Sequence, residues 1–203
     1  MLNKSFSVIV SEQIRNYKKT IQIDSDKSIS IRSFLIGAIS HNISKVKNIL
    51  ESDDVFSTIK CLRKLGVKII KTKPRQYLIY GKGLGSLFVK KNSTLDLGNS
   101  GTLTRLLLGA LSSTPDIQIK IKGDKSLNKR NMSKLIRLMN EFGANFYPKN
   151  KSNLPLTMRS SEMPIGIQYK SNISAQLKSA VILAGLNSYG TTTITEEKES
   201  RNH

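Results

Sequence analysis

The sequence predicts an α/β fold built from a repeated β-α-β-α-β-β unit, and two observations carry that expectation. First, three stretches share one layout. DKSISIRSFLIGAIS (26–40), NSGTLTRLLLGALSS (99–113) and SAQLKSAVILAGLNS (174–188) each set small or polar residues ahead of an apolar helical run. Aligned on Gly37, Gly109 and Ala184, they recur after 72 and then 75 residues, the length of a whole supersecondary unit. Second, the segments that follow recur in one order: an extended piece, an amphipathic helix, then two short strands.

In the first unit, helix 26–40 leads to an extended segment, KVKNIL (45–50), and to a helix within ESDDVFSTIKCLRKLG (51–66). Val55, Ile59, Leu62 and Leu65 share one face of that helix; Ser52 or Asp53 is placed to cap it and Gly66 to stop it. Strands VKII (67–70) and QYLIY (76–80) close the unit. The second unit repeats this with helix 99–113, a strand in DIQIKIKGD (116–124), and a helix in NMSKLIRLMNEFG (131–143) whose apolar face is Leu135, Ile136, Met139 and Phe142, ending at Gly143. Strands ANFY (144–147) and LPLTM (154–158) follow. The third unit offers helix 174–188 and strand TTTITEE (191–197), then stops at SRNH, where its siblings begin their second helix. A sheet lacking that cover leaves apolar surface exposed, so an interrupted third repeat is expected.

Composition narrows the function classes. No apolar run approaches the roughly 20 residues of a membrane span, and the N-terminus turns polar after a very short apolar segment, so neither a signal peptide nor an anchor is expected and the expected location is cytoplasmic. Cys61 is the only cysteine, and His41 and His203 are the only histidines, which excludes an internal disulfide and argues against a Cys/His metal site. Cys61 is expected in the core and His41 at the surface. The balance of 33 basic to 14 acidic residues, a net +19, favours anionic partners. Nucleic acid is disfavoured, because the basic residues are spread along the chain and aromatics for base stacking make up only 6%. Gly81-Lys-Gly-Leu-Gly85 lacks the following helix a dinucleotide loop needs and is expected to be a turn leading into a strand-like segment.

Each apolar helix begins with residues that leave backbone N–H groups free: Lys27-Ser28, Asn99-Ser100-Gly101-Thr102 and Ser174-Ala175-Gln176. Free N–H groups and the positive end of the helix dipole attract anions. One such start is usually only a cap; three related by repetition can be aimed at one point. Lys27, Arg32, Arg105 and Arg130 add cations, and arginine grips phosphate or carboxylate with two parallel bonds. Together these predict a cradle for a small polyanion.

The same residues carry a family resemblance. DKSISIR, LDLGNSGTLTRLL, GDKSLNKRNM, SAQLKSAVILAGL and ESRNH resemble, in order, five sequence blocks of the 5-enolpyruvylshikimate-3-phosphate (EPSP) synthases, from about residue 24 to the last residue. The resemblance implies an enolpyruvyl-transferase-like fold of two domains, each of three such units. Residues 1–20 would be a strand crossing to a second domain, and 21–203 the first domain, truncated in its third repeat. It implies transfer of the enolpyruvyl group of phosphoenolpyruvate to the 5-hydroxyl of shikimate 3-phosphate with release of phosphate, in aromatic amino acid biosynthesis, with no metal or organic cofactor. Carried over by position, Lys27 would contact phosphoenolpyruvate and is the one candidate catalytic residue. Gly101 and Arg130 would line the same subsite, which also binds the mimic glyphosate in the family. Ser28, Arg32, Ser174, Ala175, Gln176 and Ser200 would hold shikimate 3-phosphate, and Asn99 and Arg105 would shape the loop. The acid-base carboxylates would lie in the second domain.

Four departures stand out: Ile31 for a polar residue, Asn131 for a proline, Asp24-Ser25 for Pro-Gly, and Ala175 for the serine of one version of the motif. The alternatives are a related cell-wall transferase, disfavoured by Lys27-Ser28 in place of a Lys-Asn pair, a non-catalytic fragment, and a basic nucleic-acid-binding protein.

Overall fold

The computed structural model of the protein describes residues 25–90, 93–171 and 174–196, and the backbone of 20–22. The expected crossing strand over 1–20, save its last residue, and Ser200 lie outside the described residues. The first unit comprises β1 (Thr20–Gln22), α1 (Lys27–Ile39), β2 (Ile43–Lys47), α2 (Asp53–Lys64), β3 (Lys68–Lys73) and β4 (Gln76–Tyr80). The second comprises β5 (Thr94–Asp96), α3 (Gly101–Ser112), β6 (Gln118–Lys122), α4 (Lys125–Lys129), α5 (Ser133–Glu141), β7 (Asn145–Tyr147) and β8 (Leu156–Arg159), and the third shows β9 (Gln168–Ser171), α6 (Ala175–Gly185) and β10 (Thr193–Glu196).

The repeat is literal in the sheets. Strand order β1-β2-β4-β3 in the first unit is matched by β5-β6-β8-β7 in the second. In each, the opening pair is parallel and the later pairings are antiparallel. The third unit shows the parallel pair β9/β10 alone. A parallel pair needs a crossover, and α1, α3 and α6 are those crossovers. Each helix therefore starts where its preceding strand ends, so the three helix starts share the carboxyl side of the parallel pairs, the side on which open α/β sheets bind ligands.

Two boundaries differ from the sequence reading. The extended segment expected at 45–50 is a strand at 43–47. Asn48 takes φ 59° and turns the chain away, while the Ile49 N–H donates to the Arg75 carbonyl instead of a strand partner. The GDKSLNKR stretch folds into α4, a single turn and a half capped by Asp124, too short for hydrophobic periodicity to reveal. The segment after Gly85 forms no strand among the described residues.

Every residue of α3 except Arg105 is buried, which makes this helix the centre of the core. It packs against both α1 and α6. The approach to α6 is close: a Cβ added to Gly109 would come within 2.4 Å of the Ala180 carbonyl oxygen. The amphipathic helices cover this centre. Val55, Ile59 and Leu62 of α2, with the adjoining Leu65, face inward as expected; on α5, Leu138 is buried together with Leu135 and Met139, while Ile136 is only half-buried. Gly66 and Gly143 end these helices with φ +86° and +92°, the left-handed conformation glycine adopts without strain. Met163, Ile165, Ile182, Leu186 and Tyr189, all in the third unit, remain exposed.

Gly109→Ala is expected to destabilise the fold by about 1–3 kcal/mol, because the added methyl meets backbone that cannot swing aside. Gly37→Ala is expected to cost less, since its methyl meets only the Ile79 side chain, at 3.0–3.4 Å. Urea unfolding of both variants checks this; equal midpoints contradict it.

One carboxylate pins the β3/β4 hairpin to the loop before α2. Glu51 accepts hydrogen bonds from Lys71, from the Tyr77 hydroxyl at 2.6 Å and from the Arg75 N–H. The Lys71 and Tyr77 bonds hold its carboxyl below the ordinary 4.5. A lowered folded-state pKa stabilises the protein above the unfolded value, and that stability is lost as pH falls through the folded one. The stability gap between wild type and Glu51→Gln is thus expected to be full at pH 7 and to shrink below about pH 4.5. Urea midpoints at pH 7 and pH 3 test it; a constant gap contradicts it.

Candidate active site

The three helix starts are built alike. Asp26, Ser100 and Ser174 are the N-caps of α1, α3 and α6, and each accepts a bond from the N–H three residues on, at 2.8, 3.2 and 3.3 Å. One cap satisfies one of several free N–H groups, so each start keeps donors to offer. Two side-chain bonds hold the starts together. Gln176 Nε2 donates to Thr102 Oγ1 at 3.0 Å, joining the first turns of α6 and α3. Arg32 Nη2 donates to Ser179 Oγ at 3.3 Å, joining α1 to α6, while its Nη1 donates to the Ser28 carbonyl.

The cations gather around the start of α3. A Cβ built on Gly101 would lie 2.7 Å from Arg130 Nη1 and 2.9 Å from Arg105 Nη1, so the two guanidinium groups flank a glycine that has no room for a side chain. Arg130 donates to Asn99 Oδ1 at 2.8 Å, and Arg105 to the Gly101 carbonyl at 3.0 Å. Neither has a carboxylate partner among the described residues. Burial, and then the like charge of Arg130, lower the Arg105 pKa; burial also lowers that of Arg32. Asp26 partly offsets this at Arg32, but holding Arg105 beside Arg130 with no carboxylate partner among the described residues costs energy that an entering anion would relieve.

The structure thus groups Arg32, Asn99, Gly101, Arg105, Arg130, Ser174, Ala175 and Gln176 at or beside the three starts, with Lys27 and Ser28 opening α1. Two neighbours escaped the sequence reading: Ser179, and Asp54, which pairs with Lys27 at 3.0 Å. Asp54 sits in the acidic first turn of α2, two residues past the N-cap Ser52, and the sequence reading gave it no role. Only packing shows its partner. Cys61 donates to the Asp96 carbonyl, and burial pushes its thiol up to about 12, so it is an unreactive core residue. His41 is exposed. A cavity of about 470 Å³ between Val89, Thr94, Asp116 and Lys120 lies at the opposite, amino ends of β5 and β6.

Comparison with known proteins gives the family. The family model described as EPSP synthase (3-phosphoshikimate 1-carboxyvinyltransferase) matches residues 11–203. The chain belongs to the EPSP synthase family. The 3-phosphoshikimate 1-carboxyvinyltransferase of Bacillus cytotoxicus is 45% identical over 186 residues, covering 91% of this chain and 43% of that protein. That of Bacillus velezensis is 42% identical over 194 residues, covering 95% and 44%. The solved EPSP synthase of Acinetobacter baumannii superposes with a TM-score of 0.81 at 35% identity, covering 91% of this chain and 42% of that one. The chain spans 41–45% of the length of the curated relatives it matches.

Two departures from the EPSP synthase pattern have a structural reading. Ile31 is fully buried on α1, so its apolar side chain serves the core. Asn131, in place of proline, accepts the Ser133 N–H at 2.8 Å, and so supports the start of α5 by a side-chain bond where a proline ring would act by rigidity.

Gly101→Ala is expected to change folding stability by less than about 1 kcal/mol, because the atoms its methyl meets are the far ends of flexible arginines. Displacing one guanidinium should nevertheless weaken inorganic phosphate binding about tenfold, the equivalent of one charge-assisted hydrogen bond. Urea unfolding and calorimetric titration separate the two effects; unchanged phosphate affinity contradicts the assignment.

Proposed function

We propose that this chain supplies the substrate-binding half of an enolpyruvyl transfer from phosphoenolpyruvate to the 5-hydroxyl of shikimate 3-phosphate, with release of phosphate. Residues 21–203 then correspond to the first of two domains. One observation carries the reading: two guanidinium groups with no carboxylate partner among the described residues flank a glycine at the start of a buried helix, and side-chain bonds link α6 to that start and α1 to α6. Both substrates are small polyanions; shikimate 3-phosphate is suggested by the relatives' name, 3-phosphoshikimate 1-carboxyvinyltransferase, and phosphoenolpyruvate by the family resemblance.

In this reading Arg130 and Lys27 take the charges of phosphoenolpyruvate, with Gly101 leaving room for it, and Asn99 and Arg105 shape the loop at the start of α3. Ser28, Arg32, Ser174, Ala175 and Gln176 orient shikimate 3-phosphate, joined by Ser200. Their contribution is position and charge: two reactants are held at reacting distance, and negative charge that grows on the departing phosphate meets fixed cations. The reaction also needs a base for the 5-hydroxyl proton and an acid for the methylene carbon. Lys27 is the one group of this chain assigned a catalytic role. The carboxylates that move protons are assigned to the remainder of the synthase.

Calorimetric titration of the chain with shikimate 3-phosphate is expected to give saturable one-site binding. Arg130→Ala should weaken phosphoenolpyruvate binding by about ten- to a hundredfold, as expected for lost charge-assisted bonds, and leave shikimate 3-phosphate affinity within about threefold. Equal losses for both ligands, or no saturable binding by the wild-type chain, overturn the reading. Binding that grows with polymer length and collapses with salt would instead indicate nucleic acid.

A further inference from the structure

We infer that Asp54 is the positioning residue for Lys27, a role that rests on the proposed contact of Lys27 with phosphoenolpyruvate. Lys27 opens α1 on a long, flexible stem, and its side chain is 49% exposed. An unrestrained lysine ammonium samples many rotamers and loses that freedom when it grips a ligand. Asp54 Oδ2 holds it at 3.0 Å, and the Asp54 side chain is itself only 16% exposed, so the pair has a fixed end.

The fixed end is held from the other side. Asp54, Ser57 and Cys61 recur at i, i+3 and i+7 along one face of α2. Cys61 Sγ donates to the Asp96 carbonyl at 3.3 Å, and Ser57 Oγ lies 2.7 Å from where a Cβ on Gly98 would be. That face therefore runs along 96–98, the segment leading directly to Asn99, the acceptor of the Arg130 bond. One helix face touches both the Lys27 ammonium and the root of the Asn99–Arg130 loop. It ties the cation of α1 to the loop that bonds Arg130.

Asp53 provides an internal control. It shares the first turn of α2 and the same interaction with the helix dipole, but it is exposed and makes no ion pair among the described residues. The experiment is a titration of the chain, saturated with shikimate 3-phosphate, by phosphoenolpyruvate, followed by 31P NMR. Wild type, Asp54→Asn, Asp54→Glu, Asp53→Asn, Lys27→Met and the Lys27→Met/Asp54→Asn double variant are compared, each checked for its melting temperature. Lys27→Met and Asp54→Asn are expected to weaken binding about tenfold each, and the double variant no further than Lys27→Met alone. Asp53→Asn should stay within twofold of wild type, and Asp54→Glu should recover part of the loss. Shikimate 3-phosphate affinity should not move.

If Lys27→Met weakens binding while Asp54→Asn behaves like Asp53→Asn, or if the two losses add in full, the positioning role is overturned and the contact of Lys27 stands. If Lys27→Met has no effect, or the wild-type chain does not bind phosphoenolpyruvate, the contact itself fails and the positioning role with it.

Discussion

The contact on which the rest of the structure depends is the backbone approach of α3 and α6 at Gly109 and Ala180. With α3 buried on all sides but Arg105, its neighbours must come close enough to leave no void, and a glycine at the crossing permits it. That closeness has a consequence at the other end of the helices. Because α3 and α6 are held tightly along their length, their first turns are near enough for Gln176 to reach Thr102. The site is a by-product of how the core is packed.

The start of α3 also combines buried polar groups with unneutralised charge. Ser100, Thr102 and Thr104 are buried polar residues, and Ser100 and Thr104 are satisfied by bonds within their own turn, so their burial carries little penalty. Arg105 and Arg130 are different. Their guanidinium groups bond to a carbonyl and an amide, which satisfy donors without neutralising charge. Asp26 and Asp124, the carboxylates nearest in sequence to Lys27 and Arg130, accept backbone N–H bonds as helix caps, and Asp96, nearest to Arg105, pairs with Lys122. The positive potential is left for an anion to neutralise.

The net charge of +19 concerns far more residues than the site. Lys45, Lys68, Lys73, Lys120 and Lys122 stand exposed on the strands, and Lys60, Lys134 and Arg137 on the outer helices. These are solvated faces. Their summed field favours the encounter with small anions without selecting among them. Selection falls to the few cations that packing aims.

The sequence by itself determined the unit and its repetition, because hydrophobic period and turn glycines are local: helices 26–40, 99–113 and 174–188, the stops at Gly66 and Gly143, and strand 76–80 all stand where their own residues put them. It also marked the helix starts, since caps and small residues are local too. Tertiary structure alone decided which groups meet. That Arg105 and Arg130 flank Gly101, that Arg32 reaches Ser179 across 147 residues, and that Asp54 holds Lys27 all depend on how crossover helices pack side by side. A pattern of period 3.6 records which face is buried but not what faces it. The ion pair of α2 with α1 left no trace in either stretch, because an acidic first turn looks the same whether it caps its own helix or steers a neighbour's lysine.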